Sequence, residues 1–230
     1  MNSYIYDIHT HTSEVSKCGL VTPAELVRFY KKLGFAGICI TEHFFNGNTT
    51  VPCDLPWETR VELYCRGFEK AYEEGKKIGF DVFFGWEYSH SGTDLLTFGL
   101  DREWLLKHPD LLSLKIHEYC DFVRSEGGFI VHAHPFREAS YISMIRLLPR
   151  RVDAVEIINC GNTDFQNQCA EKYADMYGLI KVAGSDTHSD QVSRVSGLEF
   201  NRRLEDINDM ISSIRKGEFR IITANLQHSS

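Results

Sequence analysis

Two stretches decide how this chain reads: Tyr4-Ile5-Tyr6-Asp7-Ile8-His9-Thr10-His11 near its start and Lys181-Val182-Ala183-Gly184-Ser185-Asp186-Thr187-His188 near its end. Each is a short β-rich run that empties into a pair of metal-ligand side chains spaced i, i+2. Side chains alternate along a strand, so two residues at that spacing share a face and can reach one ion. The pattern recurs between them. Ala36 to Ile40 leads into Thr41-Glu42-His43, Val82 to Trp86 into Glu87, and Phe129 to Val131 into His132-Ala133-His134-Pro135. Further strands are expected at Ala154 to Ile158, Ile180 to Ala183 and Phe219 to Ile222, with an additional one at Leu95 to Leu100.

Between these runs lie segments of helical period. Thr22, Pro23 and Glu25 form a capping box with proline at the first helical position, opening a helix that buries Leu26, Tyr30 and Leu33 before Gly34 stops it. Val61, Cys65, Phe68 and Tyr72 mark the next buried stripe. Leu112, Ile116, Tyr119 and Val123 mark a third, Phe165, Cys169 and Tyr173 a fourth, and Leu204, Ile207, Ile211 and Ile214 a fifth that ends at Gly217. Strands alternating with helices predict a parallel α/β barrel, and 230 residues suit a single domain over the whole length, 1–230. Phe44 to Trp57, rich in Asn, Gly and Pro, reads as a long functional loop.

Composition narrows the functional classes. A formal net charge of -7 argues against a broad grip on nucleic acid, which takes many phosphate contacts from Lys and Arg. Seven cysteines without a Cys-x-x-Cys pair read as reduced thiols. No long apolar run and no secretion-like start (Met1 to Asp7) are present, so a soluble, cytoplasmic protein without a membrane partner is expected. Taken singly, His43 or Glu87 is an ordinary polar residue beside a loop. Six histidines and two acids at successive strand ends are a site, because barrel enzymes assemble their chemistry from those ends. Imidazole with carboxylate favours Zn, Mn or Fe, and seven or more ligands imply two or three ions, with Glu87 a bridging carboxylate.

In these motifs the chain resembles the PHP family, named for polymerase and histidinol phosphatase domains, from Tyr4 to about Gly197. The resemblance implies a distorted (β/α)7 barrel with a di- or trinuclear site at one mouth. Carried over by position, it implies His9, His11, His43, Glu87, His134, Asp186 and His188 as metal ligands, with Glu87, Asp186 and His188 catalytic. It also implies a ligand shortly after the first motif, for which Glu14 is the choice, and opens the same role to Cys160; His132 is placed behind the ligands, orienting one of them or the substrate. The implied activity is hydrolysis of a small phosphate ester, with histidinol phosphate a named alternative. A carbon–nitrogen hydrolase of the amidohydrolase type and a non-catalytic metal- or phospholigand-binding domain are the competing readings. Arg137 and Arg194, with Lys17 as a weaker third, are expected at the same mouth as phosphate holders. Nucleic acid enters only as a nucleotide or an oligonucleotide end.

Overall fold

The computed structural model describes residues 3–226; residues 1–2 and 227–230 of the expected single-domain span lie outside the described residues. Among the described residues nine strands form one sheet: β1 (Tyr4–Thr10), β2 (Gly37–Ile40), β3 (Asp81–His90), β4 (Thr93–Phe98), β5 (Phe129–Ala133), β6 (Ala154–Asn159), β7 (Ile180–Gly184), β8 (Arg194–Phe200) and β9 (Arg220–Asn225). Their order is β7-β6-β5-β4-β3-β2-β1-β8-β9. The two ends of the first seven meet. Beyond β7, Asp186 N–H donates to the His9 carbonyl and His11 N–H to the Thr187 carbonyl, each at 2.9 Å, so β1 through β7 curl into a nearly closed barrel.

The expected distorted barrel is therefore present, with two corrections of detail. The additional strand at Leu95 to Leu100 is β4, and it runs antiparallel to both β3 and β5 inside the ring. The strand expected at Phe219 to Ile222 is β9, but it lies outside the ring on β8, which the sequence reading lacks. β8 runs antiparallel along β1, and Gly197 allows it: a Cβ there would sit 2.5 Å from the Tyr6 carbonyl oxygen.

Six α-helices among the described residues wrap this sheet: α1 (Pro23–Lys32), α2 (Trp57–Ile78), α3 (Arg102–Leu106), α4 (Ile116–Ser125), α5 (Asp164–Tyr177) and α6 (Ile207–Lys216). The Thr22–Glu25 capping box forms as expected. Two stripes rotate from their expected faces. Tyr72 on α2 and Phe165 on α5 are exposed, while Tyr64 and Ala71, and Asn167, Ala170 and Ala174, take the buried faces. The barrel interior is a cluster of Tyr6, Ile8, Phe83, Leu96, Phe98, Phe129, Val131, Ala133 and Val182, into which α6 inserts Met210, Ile211 and Ile214. Arg203, just before α6, pairs with Asp81 at the start of β3, so α6 plugs the end opposite the metal-ligand side chains. No helix among the described residues is long and apolar enough to cross a membrane.

Candidate metal centre

Strand alternation carries Glu87 into the mouth. Phe83 faces the barrel interior, Gly85 faces it with no room for a side chain because a Cβ would lie 2.6 Å from the Phe98 ring, and Glu87 is next on that face. Its two oxygens separate two sets of imidazoles. Oε1 lies 3.3 Å from His9 Nε2 and 3.0 Å from His134 Nε2; Oε2 lies 2.6 Å from His43 Nδ1 and 3.6 Å from His11 Nε2. Asp186 reaches in from the opposite wall, with Oδ1 3.4 Å from His9 Nε2, 3.2 Å from His11 Nε2 and 3.5 Å from His188 Nδ1.

Three groups of potential ligand atoms converge within 4.8 Å: His11, His43 and His188; His9, Glu87 and His134; and His9, His11 and Asp186. Their chemistry fits divalent ions. The Glu87 carboxylate is 1% exposed; its Oε2 and His43 Nδ1 lie 2.6 Å apart without the geometry of a hydrogen bond, and neither makes a hydrogen bond elsewhere. Buried polar atoms normally find partners, and a cation supplies one for all of these at once.

Two candidate ligands reach the mouth through left-handed backbone, at φ 28° for His134 and 56° for Asp186. Non-glycine residues pay roughly 1–3 kcal/mol for such conformations, which cluster at functional sites. The turn at His134 has a structural consequence. Val131 and Ala133 face inward, so His132 faces outward, where its ring packs edge-on against Tyr173 of α5 at 5.9 Å. Strict alternation would send His134 the same way, and the positive φ redirects it to Glu87. The expectation that His132 and His134 share one face is therefore corrected. Burial, with the neighbouring His134 charge, pushes His132 down to about 3, so it stands neutral in its outward pocket.

Glu156 is the acid that the sequence reading passed over. On β6 it follows inward-facing Ala154 at i+2, accepts from His9 Nδ1 at 3.0 Å and from the His134 backbone N–H at 3.0 Å, and takes the Asn159 amide at 2.9 Å. A carboxylate behind a ligating imidazole fixes its tautomer and orientation. Period-2 counting from Ala154 could have found it. Asp94 lies one residue before the expected strand and lines the cleft beside His134, at 4.0 Å. Ser16 and Glu42 do for His11 what Glu156 does for His9: His11 Nδ1 meets Ser16 Oγ at 3.2 Å, and Ser16 donates to Glu42 at 2.5 Å. Gly184 makes the Glu156–His9 contact possible, since a Cβ there would lie 2.6 Å from both Glu156 Oε1 and His9 Cβ. Gly184→Ala is expected to cost about 1–3 kcal/mol from overpacking and to weaken metal affinity about 10–100-fold through the displaced support. Thermal denaturation and metal titration check both, and unchanged affinity would show that His9 does not depend on this packing.

The remaining candidates fall in different places. Arg137 Nη2 lies 2.7 Å from Asp186 Oδ2, and Asn159 and Asn162 accept from its guanidinium at 2.8 and 3.0 Å. Burial opposes its charge, but Asp186, Glu87 and Glu156 hold it firmly protonated. Arg194 opens β8 and faces Asp164 at 3.4 Å, away from the cleft lining; Lys17 is exposed. The structure does not bring Glu14 to the cluster: its carboxylate lies 2.7 Å from Lys70 Nζ of α2. Cys160 sits outside the three ligand groups, and burial raises its thiol to about 12. Cys18 lines the cleft instead, with Sγ 3.1 Å from His43 Nε2; burial raises its thiol, and the imidazoles of His188 and His43 reverse this to about 6. For Asp186 and Glu87, burial raises the carboxyls, but His9 and Arg137 beside the first, and His43 and His9 beside the second, hold both well below the usual range.

The cleft above these residues has a volume of about 600 Å³ and is lined by Asn46, Asn48, Ser89, Ser91 and Tyr141 as well as His43, Glu87, His134, Asp186 and His188. The loop expected from Phe44 to Trp57 supplies the two asparagines.

No curated protein sequence matches the chain. Among solved structures it is similar to a two-domain protein from Bacteroides vulgatus containing a predicted PHP-like metal-dependent phosphoesterase, with a TM-score of 0.72 and 16% identity over 96% of this chain. It spans only 65% of that protein's length. A candidate metal-dependent phosphoesterase from Bifidobacterium adolescentis matches with a TM-score of 0.58 and 18% identity over 90% of this chain and 94% of its own. An amidohydrolase from Chromobacterium violaceum, solved with bound sulfate and no metal, matches with a TM-score of 0.54 and 15% identity over 80% of this chain and 87% of its own. At such identities the likeness is one of fold. The PHP domain model matches residues 7–217, a span that holds every residue of the three converging groups, and the chain therefore belongs to the PHP domain family.

Proposed function

We propose that this protein is a metal-dependent phosphoesterase that hydrolyses a small phosphate ester, using two or three ions of Zn, Mn or Fe held by His9, His11, His43, Glu87, His134, Asp186 and His188. The observation that carries the reading is the convergence of three ligand groups on the two carboxylates, Glu87 and Asp186, at one mouth of the barrel. Divalent ions bound there supply Lewis acidity and a water acidified toward neutrality.

The protein's own contribution is placement. Glu87 spans the two imidazole sets with its separate oxygens and would serve the ions held by both. Asp186 orients His188, whose Nδ1 lies 2.9 Å from the Asp186 carbonyl, which leaves the other ring nitrogen for the cluster. His188 is the more open of the pair, 27% exposed against 4%. Arg137, braced by two asparagines, presents a guanidinium at the cleft and is the better phosphate holder; Arg194, engaged with Asp164, is the weaker one. The cleft's polar walls suit a compact, hydrogen-bonding substrate. The polypeptide would thus fix the phosphoryl group beside the residues that would hold the ions, and positioning of this kind is most of what phosphoryl transfer asks of a protein.

A carbon–nitrogen hydrolase would share the barrel, but Glu87 occupies the place where that class uses a strand-end lysine, and no described lysine lines the cleft. An assay with an aryl phosphate, histidinol phosphate and an N-acyl amino acid, each with added Mn or Zn, separates the readings. Metal-stimulated release of phosphate from the first is expected. Turnover of the amide alone moves the protein to the amidohydrolase type, and turnover of none with tight metal binding makes it a binding domain.

A further inference from the structure

One wall of the cleft is built from two segments strapped together. The first is the tip of the β3–β4 hairpin around Ser91 and Gly92; the second is the run from Arg137 to Arg146, part of the connection that joins parallel strands β5 and β6 without a helix. Arg146 donates to the Ser91 carbonyl at 2.7 Å, and Gly92, at φ 80°, lies so near Ile142 that an added Cβ would come within 3.0 Å of its side chain. Asn46 Oδ1 accepts from the Ser89 N–H at 3.2 Å and ties the hairpin to the loop after β2. Asp94 from the hairpin, and Arg137 and Tyr141 from the second segment, line the cleft.

The carboxylates of the cleft are unevenly matched. Glu87 and Asp186 lie among imidazoles, and Asp186 also has the Arg137 guanidinium at 2.7 Å. Asp94 stands outside the three ligand groups with its side chain 12% exposed. Its cross-strand neighbour Ser89 donates to it, His134 Nε2 is 4.0 Å away, and no lysine or arginine among the described residues comes as near. We infer that Asp94 selects the alcohol half of the substrate, accepting from a hydroxyl or ammonium group there and repelling a second negative charge. The substrate is then a phosphate ester whose alcohol carries hydrogen-bond donors and no further anion, which deepens the phosphoesterase reading and rests on it. An ionised carboxylate accepts hydrogen bonds and donates none, so only a donor or a cation satisfies it. An anion placed beside it meets a like charge, and Arg137, the one lysine or arginine among the described residues that lines the cleft, is already engaged by Asp186. Asn46, Asn48 and Ser91 are uncharged and both donate and accept, which leaves discrimination by charge to Asp94.

A matched series of phenyl phosphates tests it, bearing a methyl, hydroxymethyl, aminomethyl or carboxymethyl group at the para position, which changes what is offered to Asp94 with little change at the leaving oxygen. With added Mn or Zn, the wild-type kcat/KM is expected to be about 10-fold higher for the hydroxymethyl than for the methyl ester, as for one hydrogen bond to a charged group. It should be about 100-fold higher for the aminomethyl than for the carboxymethyl ester, where an attraction becomes a like-charge contact. Asp94→Asn keeps the shape and an acceptor without the charge, and should bring this second ratio below about 10. Tyr141→Lys alters an exposed position within charge range of Asp94, and its ammonium should lower the same ratio with the carboxylate intact, which keeps the test decisive if Asp94→Asn sheds metal. Either order between the two donor esters supports the inference, the hydroxymethyl first assigning a polyol and the aminomethyl first an amino alcohol. A wild type that prefers neither donor ester to the methyl ester, or an aminomethyl-to-carboxymethyl ratio that neither variant lowers, overturns the inference and leaves the phosphoesterase standing. No phosphate released from any ester overturns the phosphoesterase reading and the inference with it.

Discussion

Glu87→Ala is expected to abolish hydrolysis and strip the protein of metal. Four imidazoles, those of His9, His11, His43 and His134, lie within 3.6 Å of this one carboxylate. Removing one partner of a buried ionic set costs about 3–5 kcal/mol, and if that loss falls on the reacting complex it is roughly two to four orders of magnitude in rate. The effect should exceed that of any single histidine, because each imidazole serves one ligand group or two while Glu87 faces both imidazole sets. Glu87→Gln keeps the volume and an acceptor for His134 but removes the charge, so a comparable loss in that variant assigns the effect to charge rather than to a cavity. Phosphate release, metal content and circular dichroism measured together decide the point. An alanine variant that keeps wild-type turnover and metal content would end the phosphoesterase proposal.

The parts of this site that a reader of the sequence could find are those set by period-2 alternation from an apolar strand. Phe83, Gly85 and Glu87 follow it, as do Ala154 and Glu156, although the second carboxylate was passed over because a chemically plain strand surrounds it. Alternation fails where the backbone leaves the β region. The left-handed residue at His134 separates it from His132, and nothing in His-Ala-His-Pro announces that turn. The loop after the first motif is likewise opaque. Whether Glu14 or Cys18 enters the cleft depends on Gly19 lying against the Thr12 backbone, a contact between chain segments rather than a local propensity.

The outer layer shows the same division. β8 went unseen because Ser196 and Gly197 interrupt its apolar pattern, yet both are required: Ser196 Oγ donates to the Ile222 carbonyl, and Gly197 lets the strand approach Tyr6. On α5 the stripe from Phe165 to Tyr173 has the correct period and the wrong phase. Asn167 is buried instead, because its amide both accepts from the Asn159 N–H and donates to the Asn159 carbonyl, each at 3.2 Å, so a polar residue leads the packed face. Hydrophobic counting cannot anticipate a side chain that replaces a backbone partner.

Chelation is expected to lower the melting temperature by about 10–20 °C. An ion present at a hundred times its dissociation constant stabilises the folded chain by about 2.7 kcal/mol, so two ions contribute about 5 kcal/mol, and a domain of this size moves roughly 2–4 °C per kcal/mol. The size of the drop should depend on pH, and its sign follows from His43. Burial opposes the His43 charge, but Glu87 and Cys18 raise it to about 11 in the metal-free fold, against 6.5 for a free imidazole. A raised imidazole contributes stability that is complete below 6.5 and is lost as pH climbs toward 11. The lowered Cys18 thiol offsets this over the same window, but despite burial Asp186 also raises the His9 imidazole and Cys18 that of His188, so the metal-free protein weakens on going from pH 6 to pH 9, while metal binding strengthens over the same range because ligands give up their protons to the cation. The difference between loaded and chelated protein should widen with pH, as differential scanning fluorimetry at pH 6, 7.5 and 9 would show. Equal melting temperatures with chelator and with saturating Mn or Zn, at every pH, would mean that the buried imidazoles and carboxylates are reconciled by protons alone.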